Sequence, residues 1–183
     1  MILSAETIKS LCLRPANAGD NWKPMITNFV DREVREGGLP SYGLTSEGYD
    51  VRARKEGWMM CDKNRTTPLD TWKPDASAFL EFDVEGDIVE IPPHSMVMGR
   101  TENGFHLPPN VLMGVYTKSS FARCAVSLNT TKAVPTWSGE WLVVEITNNA
   151  PFPVRFNIRG GVASLVFFGL DGNGQEYQGL FSG

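Results

Sequence analysis

Residues 141 to 148 read Trp141-Leu142-Val143-Val144-Glu145-Ile146-Thr147-Asn148. Strict alternation puts Trp141, Val143 and Glu145 on one face of a strand and Leu142, Val144 and Ile146 on the other. The run is apolar and β-branched, with a single carboxylate inside it. Carboxylates are seldom buried without a partner. Two readings follow: a carboxylate drawn into apolar surroundings, which holds a proton more readily and suits general-base work, or an outward-facing Glu on a half-exposed sheet.

Outward from this strand the same pattern repeats. Tyr49–Val51, Ser95–Thr101, Val111–Tyr116, Pro153–Ile158 and Val162–Phe168 all read as strands. Phe79–Val84 and Ile88–Ile91 alternate on either side of Glu85-Gly86-Asp87, which predicts a β-hairpin. Pro92-Pro93 and Pro108-Pro109 punctuate the middle of the chain. Helix signals are few. Ser4 predicts an N-cap for a short helix through Cys12. Ile26, Phe29, Val30 and Val34 have helical spacing and predict a second short helix ending at Gly37-Gly38. Residues 63–74 read as a polar surface loop and 170–183 as a flexible tail. Many short strands with Gly/Pro turns predict a mainly β fold, a sandwich, jelly roll or barrel.

At 183 residues the chain is expected to form one domain, 1–183, with residues 1–40 partly helical. It is 42% hydrophobic and 21% charged, which is an ordinary globular mix. A net charge of −4 argues against nucleic acid as a partner, because such binding rests on neutralising phosphates. No apolar run approaches the ~20 residues of a membrane span, and no signal peptide is expected at the start. Cys12, Cys61 and Cys124 are odd in number and far apart, which points to a reducing compartment, the cytoplasm by default.

Two kinds of chemistry drop out early. A zinc deaminase needs His-x-Glu and Pro-Cys-x-x-Cys, and the chain has neither; His94 and His106 are followed two residues on by Met96 and Pro108. No P-loop is present. What remains is Lys118-Ser119-Ser120-Phe121-Ala122-Arg123, directly after a strand. A strand leading into a helical turn offers free N–H groups to an anion, the hydroxyls add donors, and Lys118 and Arg123 add charge. A plain capped turn is the competing reading. Asp50 and Arg52 fall on one strand face, which predicts a local ion pair.

Taken in order, these segments resemble the dCTP deaminase branch of the trimeric dUTPase-like superfamily. The resemblance runs through Ser41–Arg52, Ile91–Ser95, Arg100–Glu102, Lys118–Cys124, Glu145–Asn148 and Gly161–Phe168. It implies a distorted β-barrel or jelly-roll subunit, a homotrimer with active sites between subunits, and hydrolysis of a cytosine nucleotide at C4 without zinc. Glu145 matches the catalytic glutamate, with Arg123 and Ser119 beside the reacting base and water. Lys118 and Ser120 match phosphate contacts, and Thr130 and Thr131 match the segment holding water and base. Trp137, Tyr177 and Gln178 match further substrate contacts. Magnesium is expected to arrive on the substrate's phosphates.

Two departures matter. Val134 stands near the place where the superfamily carries an acid ahead of the aromatic matched by Trp137, which weakens a dUTP diphosphatase reading. In the tail, Glu176 replaces a lysine that would meet the triphosphate, which raises dCMP or a modified cytosine nucleotide as an alternative substrate. A nucleotide-binding regulator without catalysis is a further alternative.

Overall fold

The structure, a computed structural model, describes residues 1–73 and 75–175. The fold is mainly β. Helix α1 (Ala5–Cys12) opens it, and Ser4 caps that helix by accepting the N–H of Thr7 at 3.3 Å. Ile8 and Cys12 are its buried face. The strands follow: β1 (Glu33–Val34), β2 (Tyr42–Leu44), β3 (Tyr49–Val51), β4 (Trp58–Cys61) and β5 (Phe79–Phe82). Next come β6 (Ile88–Ile91), β7 (Met96–Arg100), β8 (Phe105–His106) and β9 (Val111–Thr117), then helix α2 (Ser119–Ala122). The last six are β10 (Val126–Leu128), β11 (Lys132–Ala133), β12 (Ser138–Gly139), β13 (Val143–Asn148), β14 (Val154–Asn157) and β15 (Ala163–Gly169).

These strands make a six-stranded sheet in the order β1-β2-β3-β15-β9-β11 and a five-stranded sheet in the order β10-β13-β7-β4-β5. Two ribbons, β12-β8 and β14-β6, complete the set. All registered pairs are antiparallel. The sheets do not close into a barrel; the arrangement is jelly-roll-like. Val51, Leu165, Phe167 and Met113 from the first sheet and Trp58, Val97, Val144 and Ile146 from the second join one apolar cluster. Each such side chain contributes roughly 1.5–3 kcal/mol relative to exposure. Trp58 lies against Gly99, where a Cβ would come within 2.5 to 2.7 Å of the indole. No helix among the described residues is long and apolar enough to cross a membrane.

Two sequence expectations are corrected. Residues 26–38 are not a helix. Ile26 bridges to Phe105, Thr27 N–H bonds Gly104 at 2.9 Å, Asn28 has φ +50, and Glu33–Val34 pairs with Tyr42–Gly43. The apolar residues at helical spacing serve different neighbours: Ile26 is fully buried, while Phe29 stacks on Tyr49 at 5.5 Å. The expected hairpin is not formed either. Glu85-Gly86-Asp87 does turn, with Gly86 at φ +61, but β5 pairs with β4 and β6 pairs with β14. The turn carries the chain from one sheet to another.

Candidate active site

Glu145 sits mid-strand in β13, opposite Met98 of β7. Alternation holds: Val144, Ile146 and Asn148 are buried, whereas Val143, Glu145 and Thr147 face outward. Glu145 is thus half-buried on the outer face rather than in the core. Around it on that face are half-buried Met96, Met98 and Met59, with Val143 39% exposed. A carboxylate with no ion-pair partner among the described residues stands in a largely apolar surface.

The backbone of Glu145 is clamped from the side. Its N–H donates to Thr130 Oγ1 at 3.0 Å, and that hydroxyl donates to the Val143 carbonyl at 3.1 Å. Its carbonyl accepts the N–H of Asn129 at 2.9 Å. Asn129 Nδ2 also donates to Thr147 Oγ1 at 2.9 Å, on the face that carries Glu145. Thr131 turns the other way: its carbonyl accepts the N–H of Val115 on β9 at 2.9 Å. Residues 129–131 therefore tie the glutamate strand to the strand that feeds α2. Asn129 escaped the sequence reading; its place directly before Thr130 was the available signal.

Helix α2 is the second part. Lys118 begins it without a side-chain cap, and buried Phe121 anchors it against Phe156 at 5.2 Å. Ser119, Ser120 and Arg123 are exposed. The chain leaves α2 through Ala125 at φ +58, whose carbonyl accepts the N–H of Asn149 at 2.9 Å. Lys118 does not share that exposure; its ammonium pairs with Asp50. Arg52 pairs with Glu102 at 2.7 Å and stacks over Tyr42 at 4.1 Å. The local Asp50–Arg52 pair expected from the sequence is therefore replaced by two long-range pairs. Asp50, Arg52, Tyr42, Glu102 and Asn103 line a cavity of about 430 Å³.

Within one chain, no hydrogen bond or ion pair among the described residues joins Ser119, Ser120 or Arg123 to Glu145. Trp137 is half-buried, with its ring 6.3 Å from Phe105. Val134 accepts the N–H of Trp137 at 3.2 Å and starts that turn. Tyr177 and Gln178, like Glu176, lie outside the described residues. His106 bonds Ser138 Oγ through Nδ1 at 2.6 Å; burial, then the charge of Lys23, hold it below the usual histidine range. His94 is an exposed turn residue at φ +51. Among the described residues no group of three or more His, Cys, Asp or Glu is placed to hold a metal ion.

Comparison with known proteins adds the family context. The dCTP deaminase-like family profile matches residues 2–170. The dCTP deaminase of Gemmatimonas aurantiaca is 38% identical over 144 residues, covering 79% of this chain and 76% of its own. That of Herpetosiphon aurantiacus is 40% identical over 144 residues with the same coverage. Among solved structures, the 2'-deoxycytidine 5'-triphosphate deaminase from Agrobacterium tumefaciens superposes with a TM-score of 0.60 at 16% identity, over 91% of this chain. That likeness concerns the fold, and the chain spans 47% of that protein's length.

Proposed function

The chain belongs to the dCTP deaminase-like family, and from that membership we propose that it hydrolyses dCTP to dUTP and ammonia without zinc. We read residues 1–183 as one catalytic domain. The observation that carries the proposal is Glu145, an outward carboxylate with no ion pair among the described residues, clamped at its backbone by Thr130.

In this reading Glu145 takes a proton from water as the oxygen adds to C4 of cytosine. The same carboxyl delivers that proton to the ring nitrogen N3, then takes the second water proton from the C4 hydroxyl of the tetrahedral intermediate and passes it to the departing amine. The C4–N4 bond breaks, ammonia leaves and uracil remains. Arg123 and Ser119 supply fixed donors to the base and the tetrahedral intermediate. Ser120 and the opening N–H groups of α2 receive phosphate, with Thr131, Trp137, Tyr177 and Gln178 completing the substrate contacts; Lys118, expected at the phosphates, is instead held inward by Asp50. Magnesium rides on the nucleotide's phosphates, since hard oxygen ligands suit it and the described carboxylates form no cage.

The half-sites meet between copies. The methionine-rich outer face around Glu145 is an apolar surface that a second subunit's α2 would cover, and a homotrimer closes such an interface. Three free thiols, Cys12, Cys61 and Cys124, favour a reducing compartment, the cytoplasm. Glu176 favours a second reading, a cytosine nucleotide with fewer phosphates. A panel of dCTP, dCMP, CTP and dUTP, with and without magnesium, separates them by product chromatography and ammonia assay. dCTP alone yielding dUTP and ammonia is the expected result. Pyrophosphate from dUTP, or turnover of dCMP with dCTP inert, overturns it.

A further inference from the structure

Lys118 stands where β9 ends and α2 begins, and its side chain turns inward. Its Nζ donates to a carboxylate oxygen of Asp50 on β3, and only 11% of the lysine side chain and 6% of the aspartate side chain are exposed. Ser41 Oγ donates to the same oxygen at 3.5 Å. Strands β3 and β9 are not neighbours. β15 lies between them, with Ser164 opposite both Asp50 and Tyr116. The lysine stem passes over Gly161, just ahead of β15, where a Cβ would stand 3.3 Å from its Cδ and Cε.

Burying both charges adds little stability by itself. What the pair does fix is the distance between β3 and the residue that leads into α2. Everything that α2 offers outward, Ser119, Ser120 and Arg123, follows directly on that anchored residue. The only buried side chain of the helix is Phe121. Without the pair, the head of the loop would be set by one apolar ring, since the other restraint, the Asn149 N–H on the Ala125 carbonyl at 2.9 Å, lies past its far end.

We propose that Asp50 is a positioning residue: through Lys118 it fixes the head of α2, and with it the groups that meet the nucleotide. The inference rests on α2 being half of a nucleotide site. Asp50 touches no reacting atom. Removing its carboxylate strands a shielded ammonium, which swings toward solvent and takes the start of the loop with it. Binding and alignment suffer, while the proton chemistry at Glu145 is untouched.

The test compares Asp50→Asn, Lys118→Met, the double variant and Lys118→Arg by steady-state kinetics on dCTP and calorimetric binding of dUTP, with melting curves alongside. Each of the two disabling single changes raises KM and the dUTP dissociation constant by about tenfold or more, with kcat less affected. The double variant is no worse than Lys118→Met, and Lys118→Arg recovers most of the affinity. An Asp50→Asn protein within about twofold of wild type in both measures overturns the proposal. So do single effects that multiply in the double variant. Should Asp50→Asn not fold, equal affinities of Lys118→Arg and Lys118→Met overturn it. Wild-type protein that binds dUTP but releases no ammonia removes the reaction and still lets the binding comparison decide the tether; protein that binds neither nucleotide overturns both.

Discussion

The hydroxyl of Thr130 accepts the N–H of Glu145 at 3.0 Å and donates to the carbonyl of Val143 at 3.1 Å. One side chain thus completes the edge of β13 at the residue that matters. Thr130→Val keeps the shape and loses both bonds. It is expected to lower kcat on dCTP by about tenfold while costing about 1–2 kcal/mol of stability. Thr130→Ser restores both. Steady-state rates and urea melts check this; an unchanged rate would show that the clamp has no part in catalysis.

Within one chain no hydrogen bond or ion pair among the described residues joins Ser119, Ser120 or Arg123 to Glu145, so activity should complement between subunits. Glu145→Gln and Arg123→Ala are each expected to be inactive alone. Co-expressed and purified as mixed assemblies, they regain activity, because some interfaces then join an intact Glu145 to an intact Arg123. Met98→Lys, on the apolar face opposite Glu145, should dissociate the assembly in sedimentation and abolish turnover together. Mixed assemblies that stay inactive count against shared sites.

Asn148 closes the quoted strand, and it is a structural residue. It is fully buried; its Nδ2 reaches the carbonyls of Ile91, Pro92 and Phe152 at 3.0, 3.1 and 2.8 Å, and its Oδ1 accepts the N–H of Ala150 at 2.8 Å. Asn148→Ala leaves several buried backbone groups unpaired. A loss of about 3 kcal/mol is expected from chemical denaturation, with KM for the remaining folded protein little changed.

Burial pushes the Cys12 thiol up to about 12. The folded state therefore holds this proton more tightly than the unfolded chain, where a thiol titrates near 8.5. The resulting stability is fully present below that unfolded value and is lost as pH rises toward 12. Urea midpoints should fall between pH 8 and 11 more steeply for the wild type than for Cys12→Ala. Alkylation at pH 8 should modify exposed Cys124 long before Cys12.

What was legible in the sequence was local. The cap at Ser4 and the alternation of β9, β13 and β15 are carried by neighbouring residues, and those elements formed within a residue or two of their expected bounds. Residues 26–38 misled because i, i+3, i+4 spacing also arises in an irregular segment with donors taken by distant residues, such as Gly104, 77 positions on, for Thr27. The Phe79–Ile91 hairpin failed for the same reason: the turn is local, but strand partners are chosen by the whole sheet. Glu145 was visible as a charge in an apolar run, whereas the clamp by Thr130 and the Asp50–Lys118 pair, 68 residues apart, depend on folding.

Whether Glu145 activates water for deamination is decided by ammonia release from dCTP, compared between wild type and Glu145→Gln. Wild type should release one ammonia for each dUTP formed. The variant should be at least ~10²-fold slower while melting normally and still binding dCTP. A Glu145→Gln protein that releases ammonia at the wild-type rate would show that another group activates the water.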